Sequence, residues 1–229
     1  MFVPGFTQTS ASWDGVREVV DESCESIPVE VPVRETFEAT VASIGTRGNT
    51  GVYVGYSMGG RLCLRLALDR PDLVRALVLI GASPGITDRV ARAERVASDE
   101  VWARIVERDG VDRFLEQWLA QPMFATVPAG APGLAERQNL TPGFLAHCLR
   151  VLGPGAIEPM WDRLGELAMP VGLVTGTTDE KYENIARLML ERLRGDVVQY
   201  VRLEGGHALP LEQPAVLGGF IAAFAAEHG

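Results

Sequence analysis

Lysine is nearly absent from this chain: Lys181 stands alone against twenty arginines. Such a skew can arise from genome composition, so by itself it assigns no function. Cysteine is scarce too. Cys24, Cys63 and Cys148 are an odd number without metal-ligand spacing, which excludes a disulfide framework and a zinc cluster and reads as reduced, mostly buried thiols. No apolar run approaches a membrane span, and no charged segment leads into a short apolar one, so the expectation is a soluble, unprocessed, cytoplasmic protein without membrane contact. Positive charge is in deficit: the formal net charge is −9, which argues against nucleic acid or an anionic membrane surface as partner. Internal repeats and low-complexity segments are missing. Histidine occurs three times, at His147, His207 and His228, so any imidazole chemistry has few places to reside.

The 229 residues, 47% hydrophobic and 22% charged, suit one globular domain with a substantial core. Its organising stretch is Gly51 to Arg61, where an apolar β-prone run ends in Gly55-Tyr56-Ser57-Met58-Gly59 and a helical segment from Arg61 to Asp69 follows at once. This G-x-S-x-G in a strand–turn–helix setting predicts a nucleophile elbow, with glycines where a Cβ would clash and a helix N-terminus beneath the serine. An ordinary glycine-rich βα turn is the alternative.

Along the chain, Met1–Val3 reads as a strand, and Pro4-Gly5-Phe6 opens the loop that leaves it. Ser12 could cap a helix from Trp13 to about Val20. Ile27–Val33 is extended but broken by Pro28 and Pro32, as an edge piece would be. A helix is expected over Thr36–Ile44, and strands over Val52–Gly55 and Leu73–Ile80, the last apolar enough to be covered on both faces. From Gly81 to about Met169 no strand is evident. Helical stretches fall around Asp88–Glu107, Val111–Leu119, Pro142–Leu152 and Glu158–Leu167, punctuated by Pro122, Pro128, Pro132 and Pro154. Strands return at Val171–Thr175 and Val197–Leu203, with helices over Glu180–Arg194 and about Pro214–Glu227. The expectation is an α/β chain with a mostly parallel sheet of about six strands, shortened at its N-terminus. Residues 1–83 and 170–229 would form the core, and 84–169 a helical cap insertion.

A serine hydroxyl needs a base, and the base needs an orienting acid. His228 lies in the C-terminal tail, where it should be solvated, and His147 falls inside a cap helix. His207 follows the last strand in a glycine-rich loop at the carboxyl end of the sheet, where open α/β sheets place ligands. Asp179 leaves the neighbouring strand at the same edge. Ser57, Asp179 and His207 follow the α/β-hydrolase order. Asp179 could equally cap the next helix, and Asp88 is a competitor that more plausibly opens the cap. The backbone N–H groups of Met58 and Phe6 are candidates for an oxyanion hole.

Pro4-Gly5-Phe6, Gly55-Tyr56-Ser57-Met58-Gly59-Gly60-Arg61, Thr178-Asp179-Glu180-Lys181-Tyr182 and Gly206-His207 together resemble the α/β-hydrolase superfamily. More narrowly, the chain is similar to the 2-succinyl-6-hydroxy-2,4-cyclohexadiene-1-carboxylate synthases of menaquinone biosynthesis. The similarity extends into the cap at Ala93-Glu94-Arg95, Gln117-Trp118, Gln121-Pro122-Met123-Phe124-Ala125 and Arg137. That resemblance implies a Ser-His-Asp lyase that eliminates pyruvate from a succinyl-cyclohexene carboxylate without cofactor or metal. It implies a small-molecule carboxylate substrate held by Tyr56, Arg61, Arg95, Trp118, Phe124 and Arg137. Arginine binds carboxylates in a planar, two-pronged manner. Read individually, Arg61 and Arg95 could be solvated, Trp118 and Phe124 could be cap core, and Lys181 and Tyr182 could simply start a surface helix. Two other readings stay open: a carboxylesterase or thioesterase with the same triad acting on a small acidic ester, and a non-catalytic binding module. The chain departs from many superfamily members in carrying Pro4-Gly5 where His-Gly is common.

Overall fold

Residues 1–131 and 133–229 are described by the computed structural model; Pro132, one of the prolines expected to interrupt the cap, lies outside the described residues. Five parallel strands form one sheet in chain order: β1 (Phe2–Val3), β2 (Gly51–Tyr56), β3 (Val74–Ile80), β4 (Val171–Gly176) and β5 (Val198–Leu203). The helices are α1 (Asp14–Val20), α2 (Phe37–Arg47), α3 (Met58–Asp69), α4 (Arg89–Leu119), α5 (Pro142–Leu152), α6 (Glu180–Leu190), the single turn α7 (Leu209–Glu212) and α8 (Pro214–His228). None of them is long and apolar enough to cross a membrane.

The period-two geometry of a strand sends successive side chains to opposite faces, and β3 shows both destinations. Ala76, Val78 and Ile80 pack with Trp13, Val16 and Val20 on one side and with Leu217, Ile221 and Phe224 of α8. Leu77 and Leu79 face the other way, onto Ile44 of α2, Leu62 and Leu66 of α3, and Met189 of α6. Burial of each such leucine or isoleucine contributes about 1.5–3 kcal/mol, which is why the central strands carry almost no polar residue.

Between β3 and β4 every regular element among the described residues is helical. Asp88 accepts from the Ala91 N–H at 2.8 Å and so caps α4, while Thr141 does the same for Phe144 at 3.2 Å, with Pro142 in the first turn of α5. Gly110, at φ 80°, breaks the helical geometry inside α4 where a gap between two helices was expected. Phe114, Leu115 and Trp118 then pack with Leu145, Ala146 and Leu149 of α5 as a separate apolar cluster. Phe6, leaving β1, meets Phe114 and Trp118 edge-on at 6.1 and 5.0 Å between ring centroids. These contacts set the helical segment over the carboxyl end of the sheet.

Several expectations are corrected. The sheet has five strands rather than six, because Ile27–Val33 makes only a single bridge, Phe2 to Pro28. Proline has no N–H to donate, so Pro28 and Pro32 prevent a ladder. Ser12 is not a cap: it lies in a 3₁₀ turn, Ser10–Trp13, and its hydroxyl donates to the Thr9 carbonyl at 2.8 Å. Glu158–Leu167 is not an α-helix, but holds a 3₁₀ stretch over Trp161–Glu166. His228 is not solvated; its ring packs edge-on against Phe224 at 4.8 Å, and Nε2 is buried. Cys24 is exposed, while Cys63 and Cys148 are buried.

Burial pushes both interior thiols up to about 12. At pH 8 a thiol of that pKa is about 0.01% thiolate, the reactive form. A disulfide reagent should therefore titrate one thiol, Cys24, in the native protein and three after denaturation. A second expected outcome concerns Gly59, where a Cβ would enter the van der Waals shells of the Val3 and Pro4 carbonyl oxygens. Backbone atoms of β1 cannot swing aside, so Gly59→Ala should cost more than about 3 kcal/mol, read as a fall in the urea midpoint.

Candidate active site

β2 ends at Tyr56 and α3 begins at Met58, so Ser57 alone makes the turn. It does so at φ 50°, ψ −107°, a conformation that non-glycine residues avoid and that costs about 1–3 kcal/mol. Its N–H still donates to the Ile80 carbonyl at 2.9 Å, which ties the turn to β3. The close approach of strand and helix leaves no room for side chains at the flanking glycines. A Cβ on Gly55 would lie 2.6 Å from the Gly59 carbonyl oxygen and from the Gly60 Cα. The serine side chain is thereby raised off the sheet, at the N-terminus of a twelve-residue helix.

His207 leaves the carboxyl end of β5, with Gly205 at φ 137° in the turn before it. Its Nε2 lies 3.1 Å from Ser57 Oγ, and its Nδ1 lies 2.6 Å from Asp179 Oδ2. A carboxylate only accepts, so Nδ1–H donates to Asp179, which leaves the Nε2 lone pair for the serine hydroxyl. Asp179 occupies the N-cap position of α6 but makes no cap hydrogen bond. The imidazole, not the helix, holds its carboxylate. The two loops are also stitched together: the Thr178 N–H and hydroxyl both donate to the Gly205 carbonyl, at 3.0 and 2.9 Å. Tyr182 covers one face of the imidazole, ring centroids 4.4 Å apart.

Phe6 and Met58 border the same cavity, and no hydrogen-bond partner takes up their N–H groups among the described residues. That cavity, of about 210 Å³, is walled by Ser57, His207, Tyr56, Arg61, Arg95, Trp118 and Phe124. Trp118 belongs both to the cap cluster and to this wall.

The arginines have three different situations. Arg61 is 5% exposed; it donates from Nη2 to the Leu152 carbonyl at 2.9 Å, and its Nε has no partner. Burial, offset in part by the Tyr182 hydroxyl, lowers it to about 10, so it remains a cation at neutral pH. Arg95 donates from Nε to both oxygens of Asp99, at 2.9 and 3.0 Å, and no partner occupies its Nη groups among the described residues. Arg137 does not join them. It is buried at 2% exposure, is not part of the cavity wall, and donates from Nη1 to Thr7 Oγ1 at 3.1 Å. Arg137, expected among the substrate-binding residues, thus lies behind the cavity wall, against the loop after β1. Of the remaining histidines, His147 is partly buried, with Nε2 2.7 Å from the Arg34 carbonyl oxygen.

Two carboxylates at the site carried no expectation. Asp99 lines the cavity, and burial, opposed by Arg95, raises its pKa. Its spacing from Arg95, four positions on a helix, was the available signal. Glu212 accepts from the N–H groups of Gly206 and Ala208, on either side of His207, at 2.5 and 2.8 Å. Its carboxylate clamps the peptide units that carry the imidazole. Glu212 ends the single turn α7, four and six positions after the two donors it serves, a local spacing to which no expectation was attached.

The model of the alpha/beta hydrolase fold matches residues 46–142. A Bacillus subtilis (strain 168) protein, provisionally named a 2-succinyl-6-hydroxy-2,4-cyclohexadiene-1-carboxylate synthase, is 33% identical over 177 residues, 75% of this chain. The chain spans 64% of that relative's length. Among solved structures, MenH from S. aureus superposes with a TM-score of 0.85 at 22% identity, covering 99% of this chain and 92% of that one. A thermophilic esterase from Thermogutta terrifontis superposes at 0.70 with 21% identity, covering 100% and 89%. At those identities the two structures speak for the fold, and the Bacillus relative for the narrower likeness. This chain is thus an α/β-hydrolase-fold protein that resembles the 2-succinyl-6-hydroxy-2,4-cyclohexadiene-1-carboxylate synthases.

Proposed function

We propose that the chain is a cytoplasmic lyase that eliminates pyruvate from a succinyl-cyclohexene carboxylate, with Ser57, His207 and Asp179 as its proton-transfer system. The observation that carries this reading is the pairing of that triad with three cationic residues, Arg61, Arg95 and Lys181, around one small cavity. Arg61 and Arg95 both border it with unpaired N–H groups. A pocket for an apolar ester has no use for them, whereas a substrate with several carboxylates needs such forks. Trp118 and Phe124 would supply the apolar wall for the ring, and Tyr56 would back the triad from below.

In the proposed reaction the Ser57 hydroxyl passes its proton to His207 Nε2 as its oxygen takes the ring proton next to the succinyl carbonyl. Asp179 stabilises the imidazolium that forms. The electron pair of the broken C–H bond moves onto the carbonyl oxygen, where the Phe6 and Met58 N–H groups would hold the charge. Collapse of that enolate forms the new ring double bond and breaks the C–O bond to the pyruvyl group. The C–O bonding pair leaves with oxygen as pyruvate enolate, and the proton held on His207 passes to its methylene carbon to give pyruvate. Residues 84–169 would act as the cap that keeps water from the enolate.

An ester hydrolase is the second reading, since the same triad could instead form an acyl-enzyme. The purified pathway intermediate decides between them. Wild-type protein should release pyruvate, and Ser57→Ala should lower kcat by at least about 10³-fold. Arg95→Ala should raise KM for the multi-carboxylate substrate about 10-fold or more while hardly changing turnover of an uncharged ester. Acyl-Ser57 accumulating with a p-nitrophenyl ester, with no pyruvate from the intermediate, would establish the hydrolase instead.

A further inference from the structure

Arg137 is a large cation, 2% exposed, with no ion pair among the described residues and no place in the wall of the Ser57 cavity. Burying a guanidinium without a carboxylate is unfavourable, so its one side-chain contact calls for a reason. That contact crosses 130 positions of sequence to reach Thr7 Oγ1, at 3.1 Å.

Thr7 sits in an unusual place. The Gln8 N–H donates to the Gly5 carbonyl at 3.2 Å, which closes a four-residue turn with Phe6 and Thr7 at its centre. The Gly5 N–H donates back to Gln8 Oε1 at 3.2 Å. Thr7 has φ 65°, in the left-handed region where the third residue of a type II turn is normally glycine. A β-branched residue there is a steric outlier and reverts unless something holds it. The Gly5 carbonyl that accepts from Gln8 lies in the same peptide plane as the Phe6 N–H, so release of Thr7 from its left-handed conformation would break the turn's closing bond and let that N–H swing. Besides these two hydrogen bonds the turn is held by packing: Tyr56 lies against Gly5, and the Phe6 ring meets Phe114 and Trp118. Only Arg137 holds Thr7 by its side chain among the described residues.

We infer that Arg137 is a positioning residue for the oxyanion hole: through Thr7 it locks the strained turn that aims the Phe6 N–H at the reacting oxygen. The inference rests on the proposed role of Phe6, and it assigns Arg137 to the loop rather than to a substrate carboxylate. It also gives the cap a function in catalysis beyond exclusion of water, since the residue that tightens the hole belongs to the segment between β3 and β4.

The test uses two uncharged probes of Ser57, turnover of p-nitrophenyl acetate and the rate of covalent inactivation by a fluorophosphonate. Thr7→Val removes the acceptor and Arg137→Met removes the donor at similar volume. Each should slow both reactions about 10- to 100-fold, with KM for the ester within about twofold and the thermal midpoint little changed. The double variant should be no slower than the slower single one, because both break the same link. Thr7→Ser, which keeps the hydroxyl, should retain nearly full reactivity. The inference is overturned if Thr7→Val reacts like wild type with both probes, or if Arg137→Met only raises KM for a multi-carboxylate substrate. Should Arg137→Met not fold, Thr7→Val and Thr7→Ser decide alone. Wild-type Ser57 that reacts with neither probe would remove the reading of the site itself, and this inference with it.

Discussion

One backbone constraint underlies the whole arrangement: strand β2 and helix α3 are pressed together so tightly that Ser57 must turn the chain alone, at φ 50°. The energy for that conformation comes from the sandwich around it. β2 is buried between β1 and β3, and α3 buries Leu62, Leu64 and Leu66 fully. Because Gly59 lies against the carbonyl oxygens of Val3 and Pro4, the same packing fixes the exit of β1, and with it Phe6. Ser57 and the Phe6 N–H, the donor proposed for the oxyanion hole, are therefore positioned by one contact rather than two. The rim loops carrying Asp179 and His207 are stitched to each other through Thr178 and Gly205, and they meet the elbow from the opposite side.

Electrostatics is handled by location rather than by number. The protein is acidic overall, and its exposed arginines are largely spent in surface pairs such as Arg70 with Asp72 or Arg108 with Asp109. Pairs of that kind contribute little in water. Three arginines at or behind the cavity are placed differently. Arg61 is buried beside the cavity with a free Nε. Arg95 is steered by Asp99 so that its outer N–H groups stay open. Arg137 is buried against the strained turn. An unpaired guanidinium inside a protein is costly, so Arg61 and Arg137 are held in place against that cost by the surrounding packing.

Much of this was legible in order along the chain. Apolar runs identified β2, β3, β4 and β5, and that of β3 was near-continuous because a strand buried on both faces has little alternative composition. Glycines at 55 and 59 announced the elbow, since the turn forbids a Cβ there, and the scarcity of histidine narrowed the base to His207. Where local signals were ambiguous the reading drifted. Ile27–Val33 has strand-like residues, but Pro28 and Pro32 remove the N–H groups a ladder requires. Ser12 has the chemistry of a cap, and a 3₁₀ turn claimed it instead.

The sequence by itself determined the residue types, their order, and the periodicities that make an α/β sheet with its serine at a strand–helix junction. Those are local properties, written into neighbours within a few positions. Tertiary structure alone decided what lies beside what. It turned Arg137 toward Thr7 instead of the cavity, brought His207 between Ser57 and Asp179, and set Phe6 against Phe114 and Trp118. Such contacts join groups that local spacing does not align, and Arg137 and Thr7 stand 130 positions apart. Their partners are chosen by the closing of the core rather than by any repeat in the chain.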